Sequence, residues 1–85
     1  MKPADVASRV KAGLSSLTGL DVDTVSGLEK TGDDWKVVVE TVELKRIPNS
    51  SDVLASYAVV ADDKGDIVSY RRTRRYLRTD SMEEQ

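Results

Sequence analysis

The chain has 85 residues, with 13 basic and 15 acidic side chains, a net charge of −2, no cysteine and no histidine. This length predicts a single domain, and the missing residue types exclude disulfides, thiolate metal sites and the commonest general base and zinc ligand. No apolar run approaches the roughly 20 residues that span a bilayer, and the N-terminus lacks a signal-peptide pattern, so we expect a cytoplasmic protein without membrane contact.

The first predicted element is an amphipathic helix over residues 4–18. Its apolar positions recur at helical spacing: Val6, Val10, Leu14 and Leu17. This spacing places them in one stripe that faces a core. Pro3 suits the first helical turn, where its missing N–H costs nothing, and Gly19 is typical of a helix end.

After the helix the apolar period changes to alternation, which predicts strands. The predicted strands cover residues 22–28, 35–45, 53–61 and 67–77. Because the connections between them are short, neighbouring strands should run antiparallel. The apolar face of the second strand changes from odd to even positions at its centre. This change indicates either a bulge near Glu40 and Thr41 or cover on both faces there.

One helix followed by four strands predicts an α+β fold, with the N-terminal helix packed on a four-stranded antiparallel sheet in two layers. The domain is assigned to residues 1–80, and residues 81–85 form a polar tail. The predicted core consists of Val6, Val10, Leu14, Leu17, Trp35, Val37, Val39, Tyr57, Val59 and Ile67. The second sheet face stays open unless a partner or a second copy covers it.

The most polarised segment runs from Tyr70 to Arg78 and contains five arginines. Removing these five charges from the net −2 leaves −7 on the other 76 residues. Strict alternation would place one set of side chains on the open face: Tyr70, Arg72, Arg74 and Tyr76. Since arginine and tyrosine are enriched at interaction hot spots, this set is a candidate protein-binding surface.

The alternative role of the arginines is structural. Arg71 and Arg75 would lie toward the helix, where they can pair with carboxylates of neighbouring strands. The candidate carboxylates are Glu29, Glu40 and Glu43. An exposed arginine run also discourages edge-to-edge aggregation.

Other kinds of function have less support in the sequence. Arginines interleaved with aromatic residues can bind nucleic acid, but a pI of about 5.0 argues against this partner. The chain has no nucleophile–base arrangement and no glycine-rich phosphate loop, so we expect no catalysis, no cofactor and no metal.

Two stretches resemble the gas vesicle protein O family. They are residues 42–48, Val-Glu-Leu-Lys-Arg-Ile-Pro, and residues 70–76, Tyr-Arg-Arg-Thr-Arg-Arg-Tyr. The resemblance covers Val6 to Arg78 and implies a non-enzymatic accessory protein of gas vesicle formation, cytoplasmic or vesicle-associated. It implies contact with other gas vesicle proteins, either the shell protein or minor accessory proteins. Self-association through the open face or a strand edge is the other interaction that the sequence predicts.

Overall fold

The computed structural model describes residues 2–45, 47 and 52–79, and it confirms the predicted α+β fold. Helix α1 spans Pro3–Thr18, and the strands are β1 (Asp21–Thr31), β2 (Asp34–Leu44), β3 (Val53–Ala61) and β4 (Ile67–Leu77). They form one antiparallel sheet in the order β1-β2-β3-β4. The predicted tail, residues 81–85, lies outside the described residues, as do residues 48–51 between β2 and β3.

Helix α1 packs on one side of the sheet, which we call the helix face; the opposite side is the open face. Pro3 occupies the first helical turn, and Gly19 ends the helix with a positive φ of 73° while its N–H donates to the Ser15 carbonyl. The buried core cluster comprises Val6, Val10, Leu14, Trp35, Val37, Val39, Val59 and Ala61. Tyr57 and Ile67 are partly buried and pack against this cluster, together with three apolar residues of β1.

The prediction that Leu17 belongs to the core is wrong, because 56% of this residue is exposed. Leu17 has the angular position of the apolar stripe, but it lies in the last turn of α1. There it lines an open groove beside Gly65 and Ile67. Helical periodicity gives the direction of a side chain, and it does not show whether the sheet extends beneath it.

Two bulges explain the unusual spacing of apolar residues in β1. Val22, Val25 and Leu28 are three residues apart, yet all pack against the core cluster. The register with β2 shifts between Val22 and Thr24 and again between Val25 and Gly27. Each shift inserts one extra residue, and each extra residue keeps the next apolar side chain on the helix face.

The centre of β2 is covered on both faces, as one of the two alternatives predicted. Glu40 and Thr41 are both buried and pair in unbroken register with Ser56 and Ala55 of β3. β2 itself has no extra residue at Glu40–Thr41; the bulge at this point belongs to β1, where Asp23 is the extra residue opposite them. The irregularity of β2 lies further along, where Glu43 is the extra residue between two paired positions.

Gly13 allows α1 to approach the start of β4 closely. A Cβ atom at this position would lie 3.1 Å from Cδ1 of Ile67. Replacing Gly13 with Ala adds about 1 kcal/mol of helix propensity but requires Ile67 to shift. We therefore expect Gly13→Ala to raise the free energy of unfolding more in an Ile67→Val background, which lacks Cδ1, than in the wild type. Urea unfolding of the four proteins of this double-mutant cycle measures the difference; equal gains in both backgrounds would contradict it.

Candidate interaction surfaces of the sheet

A bulge in β4 distributes the arginines of residues 70–78 between the two faces of the sheet in a way that strict alternation does not predict. Arg72 pairs with Tyr57 and Arg74 pairs with Ser56, so Thr73 is an extra residue between them. The bulge reverses the faces of the residues that follow it. The helix face of β4 therefore carries Tyr70, Arg72 and Arg75, whereas the open face carries Arg71, Arg74 and Tyr76. The predicted grouping of Tyr70, Arg72, Arg74 and Tyr76 on one face is wrong.

On the helix face, Glu43 binds two arginines in an arrangement that we call the Glu43 bridge. Its Oε1 accepts from Nη1 of Arg72 at 2.9 Å, and its Oε2 lies 2.8 Å from Nε of Arg75. The bridge crosses β3 at Ala55, which is fully buried together with its register partner Thr41. The charged side chains thus cover a part of the sheet.

The Glu43 bridge retains positive charge, because two guanidinium groups share one carboxylate. The side chains of Arg72 and Arg75 are 49% and 55% exposed. Beside them, the ring of Tyr70 is exposed and packs against Tyr57 with 6.2 Å between the ring centroids. A cationic and aromatic surface of this kind suits an acidic protein partner.

On the open face, Glu40 accepts three hydrogen bonds from hydroxyl groups of the other strands. Oε1 accepts from Ser56 at 2.5 Å and from Tyr76 at 2.6 Å, and Oε2 accepts from Ser26 at 2.7 Å. Ser26 belongs to β1, Ser56 to β3 and Tyr76 to β4. Together with Arg74, these residues form what we call the Glu40 network. The network joins all four strands, and Glu40 at its centre is only 7% exposed.

Arg74 completes the network from the solvent side. Its guanidinium carbon lies 4.4 Å from the centroid of the Tyr76 ring, a cation–π distance. Its Nε donates to Oγ of Ser56 at 3.4 Å. The positive charge therefore lies close to the carboxylate of Glu40 without contacting it directly.

The network shifts the pKa values of its two central groups in opposite directions. Burial alone would raise the pKa of Glu40, but the three hydroxyl donors and the nearby charge of Arg74 outweigh it and hold the pKa below the ordinary 4.5. Burial, and then the hydrogen bond to Glu40, raise the pKa of Tyr76 to about 12. Glu40 is therefore an anion and Tyr76 a neutral donor at neutral pH.

A further ionic contact closes the end of the sheet and joins Arg78 to two carboxylates that the sequence did not single out. Nη2 of Arg78 lies 3.4 Å from Oδ1 of Asp23 and 3.4 Å from Oδ2 of Asp52. The Arg78 N–H also donates to the Asp52 carbonyl at 3.0 Å. Arg78 thus links the end of β4 to the first bulge of β1 and to the residue that precedes β3.

The sequence predicts structural charge pairing for five residues, and the structure shows it for some of them. The five are Arg71, Arg75, Glu29, Glu40 and Glu43. Arg75 pairs with Glu43, and Glu40 is held by hydroxyl groups with Arg74 nearby. Arg71 and Glu29 form no ion pair with any other described residue. The roles of Ser26 and Ser56 were missed; a charged residue in the middle of a valine-rich strand is the signal that such partners exist.

Residues 2–45, 47 and 52–79 show neither a cluster of potential metal ligands nor a membrane-spanning helix. No group of three or more potential metal ligands comes together among them. None of their helices has the length and apolar character needed to cross a membrane.

These features define a small two-layer α+β protein with an exposed sheet face and a basic edge strand. The family model described as "Gas vesicle synthesis protein GvpO" matches residues 1–82, and the chain belongs to this family. It is 43% identical to gas vesicle protein O of Streptomyces sp. strain CB03234 over 76 residues, which is 89% of this chain and 59% of that protein.

Archaeal relatives are more distant. The identity is 29% with gas vesicle protein O of Haloferax mediterranei, over 95% of this chain and 59% of the relative. It is 36% with gas vesicle protein O1 of Halobacterium salinarum, over 66% of this chain and 47% of the relative. The chain thus spans about three fifths or less of each of these relatives. No solved structure matches it.

The low pKa of Glu40 gives the stability of the protein a defined pH dependence. The folded-state pKa of Glu40 lies below the ordinary 4.5. The stability that ionised Glu40 contributes is therefore complete above pH 4.5 and is lost as the pH falls through the folded-state pKa. Glu40→Gln should lower the free energy of unfolding by about 1–3 kcal/mol at neutral pH, because an amide replaces one acceptor oxygen by a donor. The deficit should shrink in acid.

Urea unfolding of both proteins at several pH values measures this effect. Asp63→Asn is the matched control, since Asp63 is an exposed carboxylate in the turn between β3 and β4 and should change stability by less than about 0.5 kcal/mol. Equal losses in the two variants would contradict the role of the network.

The raised pKa of Tyr76 can be observed directly by tyrosinate absorbance. One of the three tyrosines should ionise near pH 12, and Tyr76→Phe should remove that transition. Glu40→Gln should move it toward the ordinary value of 10. The stabilising contribution of Tyr76 is complete below pH 10 and is lost as the pH rises through about 12. An unchanged titration in Glu40→Gln would rule out coupling between the two groups.

Proposed function

We propose that this protein is a non-enzymatic accessory protein of gas vesicle formation, located in the cytoplasm or on the vesicle. The observation that carries this proposal is membership of the gas vesicle protein O family over residues 1–82. The relatives that cover most of the chain are named gas vesicle proteins.

The proposed mode of action is binding to another gas vesicle protein, either the shell protein or a minor accessory protein. The exposed part of the Glu43 bridge supports this mode, because two arginines share one carboxylate next to an exposed Tyr70. Arginine and tyrosine supply a large share of binding energy at protein interfaces. The excess positive charge selects an acidic surface on the partner.

The four residues proposed for interaction are divided between two surfaces by the bulge at Thr73. Tyr70 and Arg72 remain candidates for this partner on the helix face. Arg74 and Tyr76 lie on the open face, within the Glu40 network. Charge changes at Arg72 and at Arg74 therefore probe different surfaces and belong in separate variants.

The proposal is tested in cells that make gas vesicles, with the chromosomal gene replaced by a variant. Arg72→Gln combined with Arg75→Gln removes both charges but keeps N–H donors for Glu43. We expect a clear loss of intact vesicles by electron microscopy and a roughly ten-fold loss of co-purified partner, which corresponds to about 1.4 kcal/mol.

Arg9→Gln is the matched control. Arg9 also pairs with a single carboxylate, Asp66, and its side chain is 55% exposed, but it lies on α1 and takes no part in the Glu43 bridge. Normal vesicles in the Arg72/Arg75 variant would refute this surface, and normal vesicles after deletion of the gene would refute the accessory function itself.

A further inference from the structure

Among the described residues, no helix or second sheet packs on the open face. Its middle carries small apolar residues from three strands: Gly27, Val38, Ala58 and Val60. They line a groove of about 450 Å³. In a two-layer domain this face normally meets water through polar side chains. An apolar groove across it is typical of a surface that becomes buried by a partner.

The strand edges are poorly suited to association. Both edge strands, β1 and β4, carry two register shifts. Bulges twist an edge and interrupt the row of free backbone groups that another strand would need. Of the two modes of self-association expected from the sequence, the structure therefore favours the face.

The charges along the groove are arranged in a self-complementary way. Glu29 on β1 and Arg71 on β4 line it at opposite edges of the sheet. Neither side chain forms an ion pair with another described residue. Within the described part of the chain, the open face thus carries a carboxylate and a guanidinium that lack an ion pair, with Val38, Ala58 and Val60 between them and with Lys36 beside Glu29 in register.

We propose that the open face binds a second copy of this chain and forms a symmetric dimer whose two-fold axis lies parallel to the strands. This rotation places β1 of each copy over β4 of the other. Glu29 is level with Ser69 and Arg71 with Gly27, so each long Arg71 side chain extends two residues along the strands to reach Glu29 of the other copy. A two-fold axis across the strands would place Arg71 over Arg71, which like-charge repulsion disfavours. Two sheets packed with nearly aligned strands are a common arrangement.

The face is large enough for this interaction. Four strands spaced by about 4.8 Å, each roughly 30 Å long, present an area on the order of 500 Å². A standard specific interface buries about 800 Å² of each partner and the lower threshold is about 500 Å², which the open face reaches. The aliphatic part of Lys36 can lie along the partner while its ammonium group reaches water at the turn end of β2.

The buried polar groups of the open face do not oppose the approach of a second copy. Glu40 already accepts hydrogen bonds from three hydroxyl groups, so dimerisation leaves no unsatisfied carboxylate in the interface. This inference does not depend on the proposed function, because it concerns only the protein itself and a surface other than the Glu43 bridge.

Charge exchange tests the dimer on the purified full chain by sedimentation and light scattering. Glu29→Arg makes both contact positions positive, and Arg71→Glu makes both negative. Each variant alone should weaken the dimer at least about ten-fold. The double variant Glu29→Arg/Arg71→Glu should restore it, and an equimolar mixture of the two single variants should form a heterodimer.

Lys11→Glu, an exposed charge change on α1, is the matched control and should leave the dimer unchanged. Circular dichroism and urea unfolding show whether each variant is folded. A wild-type protein that stays monomeric at about 1 mM, or a dimer that both single variants preserve, would overturn the proposal. Vesicle loss in the Arg72/Arg75 variant would leave this result unaffected, so the two proposals fail separately.

Discussion

One carboxylate on β2 joins all four strands of the sheet. Glu40 accepts hydrogen bonds from hydroxyl groups of β1, β3 and β4. Ser26 is the extra residue of the second bulge of β1 and donates to Glu40. The ring of Tyr76, whose hydroxyl donates to Glu40, lies against the guanidinium group of Arg74. A buried anion without such partners would destabilise the fold, whereas an anion with all of its acceptors occupied fixes the relative positions of the strands. The arrangement of the open face depends on this network.

The second constraint is the size of the helix. One helix of 16 residues buries Val6, Val10 and Leu14 against the sheet, but it leaves the far part of the helix face uncovered. There the Glu43 bridge runs from β2 to β4 across β3. The aliphatic parts of arginine side chains exclude water while their charged ends remain in it. The same arginines can therefore complete the fold and present charge to a partner.

The two sides of β4 consequently differ in chemistry. On the helix face, Arg72 and Arg75 share Glu43 and retain excess positive charge. On the open face, Arg71 and Glu29 line an apolar groove from opposite edges of the sheet, and neither forms an ion pair with another described residue. An acidic protein surface complements the first arrangement, and a second copy of the chain complements the second. The two proposed partners would therefore use opposite faces of β4.

The sequence by itself determined the helix, the four strands, their antiparallel order and most of the core, because these follow from local periodicity and turn chemistry. It also carried the family resemblance at residues 42–48 and 70–76. Only the tertiary structure decided which arginine belongs to which face, which hydroxyl groups hold Glu40, and that Leu17 is exposed. The physical reason is that a bulge such as that at Thr73 is set by pairing between strands, and one extra residue reverses every side chain that follows.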